Sequence, residues 1–434
     1  MSRCGWFARQ VGWWTLLECL MLVGPPSLVH AQIKIEVPEP GGAGLPIAIS
    51  PLKSLDSEGG GRRLGEEFAD IIARDLDLSG LFKVIDRGAY IEGPAGLSLE
   101  EINFQNWSAL GALALVKGGL SLDGDGVTVE VRLFDVAQRK QLGDGKRYRG
   151  ERKDLRRMAH RFADQIMLFL TGEQGPFDSQ IAFVSKRGGG RAKEIYVTDL
   201  TGLKVTQITK DRTLSLGPSW NPAADKLLYF SYKQGGPYPY LVDLLSGQES
   251  RLYPVVGYSG RWSPDGTMIA VSLEQQGNSD LFLLSPEGRL MRRLTEHSDI
   301  DVSPTWSLDS RGIAFCSSRS GSPQIYVMNV NSGSVRRLTF RGDYNTSPSW
   351  SPKGNLIAYT SRAGGFRIMT IDVDGGDPQE VTAGEDPSWS PDGRYLVFSH
   401  GGRLYIASKD GRSVKQLTGG RGDDTSPAWS ARLK

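Results

Sequence analysis

The chain has 434 residues, with 51 Lys and Arg against 49 Asp and Glu for a formal net charge of +2, and 39% of its residues are hydrophobic. A balance this close to neutral leaves no electrostatic footprint for nucleic acid, and the length exceeds what one hydrophobic core fills. Three cysteines in such a chain rule out a disulfide-stapled scaffold.

Residues 1–31 have the layout of an export signal. Arg3 and Arg9 form a basic start, positions 11–23 are largely apolar, Gly24, Pro25 and Pro26 break the run, and Val29 and Ala31 stand at −3 and −1 before Gln32. Glu18 interrupts the apolar stretch, which falls short of the ~20 residues that cross a bilayer. Cleavage is therefore expected, leaving a mature chain that does not span the membrane. It would keep 49 basic and 48 acidic residues and lose Cys4 and Cys19. Cys316 remains, beside Phe315 in an apolar strand, where it reads as a small core residue.

Residues 32–173 read as an α/β domain. Ile33, Ile35 and Val37 alternate with polar residues like a strand, and a Pro- and Gly-rich hinge follows at 38–44. Residues 46–50 (Pro-Ile-Ala-Ile-Ser) form a buried-type strand. Leu64, Phe68, Ile71, Ile72 and Leu76 share one face of a helix that Gly80 can end, and residues 82–86 return as a strand. Ser98 and Glu101 resemble a capping box for a helix carrying Trp107. Residues 114–122 and 127–136 flank Asp-Gly-Asp-Gly as a hairpin. A last helix, with Leu155, Met158, Phe162, Ile166 and Phe169 on one face, ends at Gly172, and residues 174–180 form a linker. The expectation is a small mixed sheet with helices on one side.

From residue 181 the chain repeats itself. Trp220, Trp262, Trp306, Trp350, Trp389 and Trp429 recur at intervals of 42, 44, 44, 39 and 40 residues, each within a variant of Pro-Ser-Trp-Ser-Pro-Asp-Gly. Each unit adds short β-branched and aromatic strands, a Gly turn and a Leu-Thr pair, which suits about four strands. In the turn, Pro presets φ, Asp bonds locally and Gly relieves the exit. Such sheets are stable only when stacked, and a ring closes the stack. The last copy stops before its apolar strand, whereas the first, residues 181–185, has such a strand and no tryptophan before it. Head and tail are thus expected to share one blade of a six-bladed β-propeller over residues 181–434.

The segment at 77–86 (Asp-Leu-Ser-Gly-Leu-Phe-Lys-Val-Ile-Asp), the Trp-Ser-Ala-Leu-Gly at 107–111, the Arg-Leu-Phe-Asp at 132–135, the Leu-Thr-Gly at 170–172 and the six tryptophan phrases together resemble the TolB family. The resemblance covers essentially all of the mature chain. It implies a soluble, monomeric periplasmic component of the Tol-Pal system that binds the peptidoglycan-associated lipoprotein Pal and the inner-membrane protein TolA. It implies roles in outer-membrane integrity and in envelope invagination during cell division, without catalysis or a cofactor.

Catalytic motifs are weak. Residues 257–260 lack the spacing of a nucleophile elbow, and His160, His297 and His400 show no metal-ligand spacing and read as structural or surface residues. The loops before the tryptophan turns should gather at one mouth of the channel. They carry Asp211, Asp299, Asp301, Asp343, Glu385, Asp386, Asp423 and Asp424, so five of six are acidic. That mouth would suit a cationic or polar partner segment or a divalent ion such as Ca²⁺, and the same acids equally suit turn caps facing water. Tyr258 and Tyr344 are candidate aromatic anchors nearby. This face is the expected Pal-binding surface, and by its position in the family the arm Ile33, Ile35 and Val37 resembles the TolA-binding segment, acting by strand addition. The competing classes are a propeller enzyme, such as a lactonase or glycan hydrolase with carboxylates in the channel, and a polysaccharide-binding module.

Overall fold

The structure, a computed structural model, describes residues 42–56, 60–94, 97–362, 364–420 and 422–434. The expected export signal and the Ile33, Ile35 and Val37 arm lie outside the described residues.

The first domain is built from β1 (Leu45–Ile49), β2 (Lys53–Ser54), α1 (Arg62–Ser79), β3 (Phe82–Val84), α2 (Phe104–Ala109), β4 (Ala114–Asp123), β5 (Gly126–Asp135), β6 (Lys140–Glu151) and α3 (Leu155–Thr171). The sheet runs β3-β1-β4-β5-β6, with β2 beside β4. It is parallel at β1 and antiparallel across the β4-β5-β6 meander. Both long helices stop where a glycine takes the left-handed conformation, Gly80 at φ +67° and Gly172 at +77°, as the sequence predicts.

Two local expectations need correction. Glu101 does accept from the Ser98 amide, but that contact closes a turn; α2 begins later, at Phe104, where the Asn103 side chain accepts from the Gln105 amide. Helices also cover both sides of the sheet. Ala48, Leu115 and Phe134 share one face with Trp107 and Phe104 of α2. The alternate residue Leu120 instead lies beside Gly61 at the start of α1, which packs with α3 on the other face. Strand β6 carries no apolar period in the sequence because its twelve residues are largely charged, Gly-interrupted and exposed or half-buried along their length.

The second domain is a ring of six four-stranded antiparallel sheets. The innermost strands are Ser215–Trp220, Gly257–Trp262, Asp301–Trp306, Asn345–Trp350, Glu385–Trp389 and Thr425–Trp429. They belong to blades 2, 3, 4, 5, 6 and 1 respectively. Blade 1 is completed by Thr425–Trp429 pairing with Gln180–Ser185, so the shared first blade exists as expected.

Second strands are apolar on both faces because each blade is sandwiched between two others. In Lys226–Ser231, Leu227 and Tyr229 pack on blade 1 while Leu228 and Phe230 pack on blade 3. The tryptophans tie neighbours together. Indole N–H groups of Trp220, Trp306 and Trp389 donate to Ala428, Arg261 and Ser349 carbonyls of the preceding blade at 2.9–3.0 Å. Trp429 donates to Ser179 Oγ at 2.8 Å.

The Ser-Pro-Asp-Gly turn forms as its chemistry dictates. Ser263 Oγ donates to Asp265 and accepts from the Met268 amide, and Gly266 takes φ +74°. The recurrent threonine after Leu or Ile closes the outer part of four blades. Hydroxyls of Thr209, Thr295, Thr339 and Thr418 accept from amides of the third strands, at Ile195, Leu281, Ile325 and Leu404. We expect Trp306→Phe to lower stability by about 1–2 kcal/mol through the lost inter-blade hydrogen bond. Deletion of residues 425–434 should abolish the single cooperative thermal transition in circular dichroism, because it unpairs blade 1.

Candidate functional site

The domain arrangement separates the two ends of the channel. Groups at the tryptophan-turn end face the α/β domain: Tyr395 donates to the Ser79 carbonyl at 3.1 Å, Arg394 pairs with Glu173 at 2.6 Å, and Lys415 pairs with Asp77 at 3.0 Å. Innermost strands begin at the opposite end. The loops before them therefore lie on a distal face that points away from the first domain.

The eight acidic residues expected at that mouth divide into three groups. Asp301 and Asp424, 0% and 1% exposed, are structural: Asp301 takes two hydrogen bonds from Arg319 at 2.8 and 3.0 Å, and Asp424 bonds Ser185 Oγ and pairs with Arg187. Asp211 follows the same plan, accepting from Ser215 and Ser231 with Lys233 Nζ at 3.4 Å. Each cation sits two residues beyond the serine that ends a second strand: Arg187 after Ser185, Lys233 after Ser231 and Arg319 after Ser317. Sequence reading missed these clamps, although the recurring Ser-x-Arg/Lys spacing marks them. A buried carboxylate held by a guanidinium closes its blade and has little left for a partner.

Asp386 belongs to the channel. It stands three residues before its tryptophan, where the innermost strands bulge; Gly217, Ser303, Ser347 and Ser426 occupy equivalent places, and all five have φ between +49° and +60°. Its carboxylate accepts from Ser347 at 2.8 Å and Ser426 at 3.1 Å, the matching residues of both adjoining blades. Arg261 extends from blade 3, opposite. Burial lowers its guanidinium from the usual range, and the Asp386 charge opposes that effect. This pair makes the channel polar without making it acidic.

The third group is available. Asp343 and Glu385 are exposed, while Asp299 and Asp423 are partly so, beside His297 at 3.2 Å and Lys186 at 2.6 Å. Burial and neighbouring Asp386 raise the Glu385 carboxyl, with His400 working against them. Tyr258 is exposed and donates to Glu274 at 2.6 Å, a bond that with burial pushes its phenol up to about 12. Tyr344 is half-buried between Phe366, 6.5 Å away centre to centre, and the Arg362 guanidinium. Ile300, Phe340 at 73% exposure, and Phe366 stand out on the same face of blades 4 and 5. The sequence carried no periodic signal for these three, since each falls in a loop or at a strand edge.

Among the described residues no three His, Cys, Asp or Glu side chains converge to hold a metal ion. Arginines occupy the carboxylates of Asp301 and Asp424, and serines occupy that of Asp386, so these three acids are already engaged within the protein.

Fold and face together define a two-domain scaffold in which an α/β module is fixed to one end of a six-bladed propeller and leaves the other end open. Comparison with known proteins gives that class its family. Residues 168–433 match the family model of the TolB beta propeller domain, and residues 33–142 match that of the TolB amino-terminal domain. The chain belongs to the TolB family. It is 36% identical over 285 residues to the Tol-Pal system protein TolB of Desulfosudis oleivorans, covering 65% of this chain and 64% of that protein. Against the Tol-Pal system protein TolB of Syntrophotalea carbinolica it is 39% identical over 210 residues, 48% of this chain and 47% of that one. These matches span about half to two thirds of the curated relatives' length. The crystal structure of TolB from Acinetobacter baumannii superposes with a TM-score of 0.77 at 28% identity, covering 89% of this chain and 97% of that one.

Replacing Arg319 by Met should strand the buried Asp301 carboxylate and cost roughly 3–5 kcal/mol in a denaturant titration. Asp343→Lys, on the exposed rim, should stay within about 0.5 kcal/mol.

Proposed function

We propose that this chain is a non-enzymatic, periplasmic, monomeric component of the Tol-Pal system, whose distal propeller face binds Pal and whose arm at Ile33, Ile35 and Val37 binds TolA. In that role it supports outer-membrane integrity and envelope invagination at division. Family membership supports the system, and the names of its relatives supply it. The observation that carries the reading is the composition of the open face. Exposed Tyr258, Ile300 and Phe340 stand among the exposed or partly exposed acids Asp299, Asp343 and Glu385, on the end of the ring that the α/β domain leaves uncovered. Aromatic and aliphatic anchors with a polar rim are the usual anatomy of a protein interface. Binding of this kind needs no cofactor.

The structure changes which residues test this. Reversing Asp301 or Asp424 would break a blade, so loss of binding there would say nothing about docking. Phe340→Ala combined with Asp343→Lys should weaken binding of purified Pal at least tenfold by calorimetry while leaving the melting temperature within a few degrees. Unchanged affinity would move the Pal surface elsewhere. Deleting residues 32–38 should abolish TolA binding and spare Pal; retained TolA binding would refute the arm assignment.

A further inference from the structure

The seam between the two domains buries a histidine. His160 of α3 is 4% exposed, with Nδ1 2.7 Å from Asp75 Oδ2 of α1 and Nε2 3.5 Å from Asp199 Oδ2 at the end of a blade 1 strand. Asp75 is wholly buried. A neutral imidazole has one N–H and one lone pair, so with Asp75 and Asp199 both ionised either neutral tautomer would aim a lone pair at a carboxylate. Only the imidazolium presents an N–H to both.

The surroundings reinforce that charge state. One turn earlier, Arg156 donates to the same Asp199 oxygen through Nε at 2.9 Å and Nη2 at 2.8 Å, reaches Thr201 Oγ1 at 2.6 Å, and lies 3.3 Å from Glu67 of α1. One propeller carboxylate thus holds two cations of α3, and α1 holds the same two through Asp75 and Glu67. The remaining charged groups around the crevice are Lys153, Asp154 and Arg157 at the start of α3, Asp178 of the linker and Lys204 of the propeller, with Asp164 further along α3.

We propose that His160, charged and shared between Asp75 and Asp199, is an ionic latch that fixes the α/β domain against the propeller, with the proton as the ligand that keeps it shut. Burial alone would drive the proton off, but the Asp75 charge, the hydrogen bond to Asp75 and the Asp199 carboxylate 3.5 Å from Nε2 outweigh it and hold the imidazolium up to about 10. Burial pushes the Asp75 carboxyl upward, and the His160 charge and hydrogen bond work against that shift. An unfolded histidine titrates near 6.5. The latch's contribution is therefore complete below about 6.5 and disappears as pH rises through about 10.

The intact chain has four histidines, few enough for ¹³C-histidine NMR, with His160→Gln assigning the resonance. His160 should titrate above about pH 9, and Asp199→Asn, across the seam, should lower that midpoint by at least about one unit, a tenfold loss of proton affinity. In hydrogen exchange, His160→Gln should speed exchange at the seam-facing turns of α1 and α3 at least tenfold while sparing blades 3 to 5. Tyr395→Phe, which removes only a neutral bond to Ser79, should change it far less. Titration near 6.5, or a midpoint indifferent to Asp199→Asn, overturns the latch, and if His160→Gln fails to fold, His30→Gln, His297→Gln and His400→Gln assign the resonance by elimination.

Discussion

Pairing of Thr425–Trp429 with Gln180–Ser185 is the constraint on which the propeller rests. No blade can bury both faces unless it has a neighbour on each side, and a row of six has two blades that do not. Closing the row turns every apolar second strand into core. It also points the six strand starts toward one mouth, which is what gathers Tyr258, Ile300, Phe340 and Asp343 onto a common face. Without closure those residues would lie scattered along an edge.

Polar chemistry in the ring divides by position. Close to the first domain, indole N–H groups and the Ser-Pro-Asp-Gly turns satisfy backbone carbonyls and amides locally, so this end is rigid and offers a footing for Glu173, Asp77 and Ser79. At the distal end, arginine and lysine clamps hold Asp301, Asp424 and Asp211 and serines hold Asp386, leaving the other acids to meet solvent or a partner. A single feature, the two-residue offset between a strand-ending serine and its cation, decides which acids are structural.

Much of the fold was legible because its signals repeat. Six tryptophan phrases and a missing strand at one end sufficed for ring order and closure, and glycines at 80 and 172 marked helix ends through their need for positive φ. Strand β6 was illegible because an exposed strand of charged residues has no apolar period. The site was read in part. Acidic loops do gather at one mouth, but a single carboxylate read without its partners looks the same whether it faces water or an arginine from the neighbouring strand. Asp301 and Asp343 are both aspartates shortly before a tryptophan, and what separates them is Arg319, whose two-residue offset from Ser317 has no counterpart after Ser361. His160 looked unremarkable for the same reason: Asp75 and Asp199 are 85 residues behind it and 39 ahead in the chain.

The shared first blade has a further consequence in time. Gln180 and Ser430, joined by a hydrogen bond, are 250 residues apart, and Arg157 of α3 donates to the carbonyl of Lys434. A chain delivered from its amino end must wait for residues 425–429 before blade 1 has an inner strand, and until then the unfinished ring exposes apolar edges. Arrival of residues 425–429 thus becomes the licence for assembling the ring.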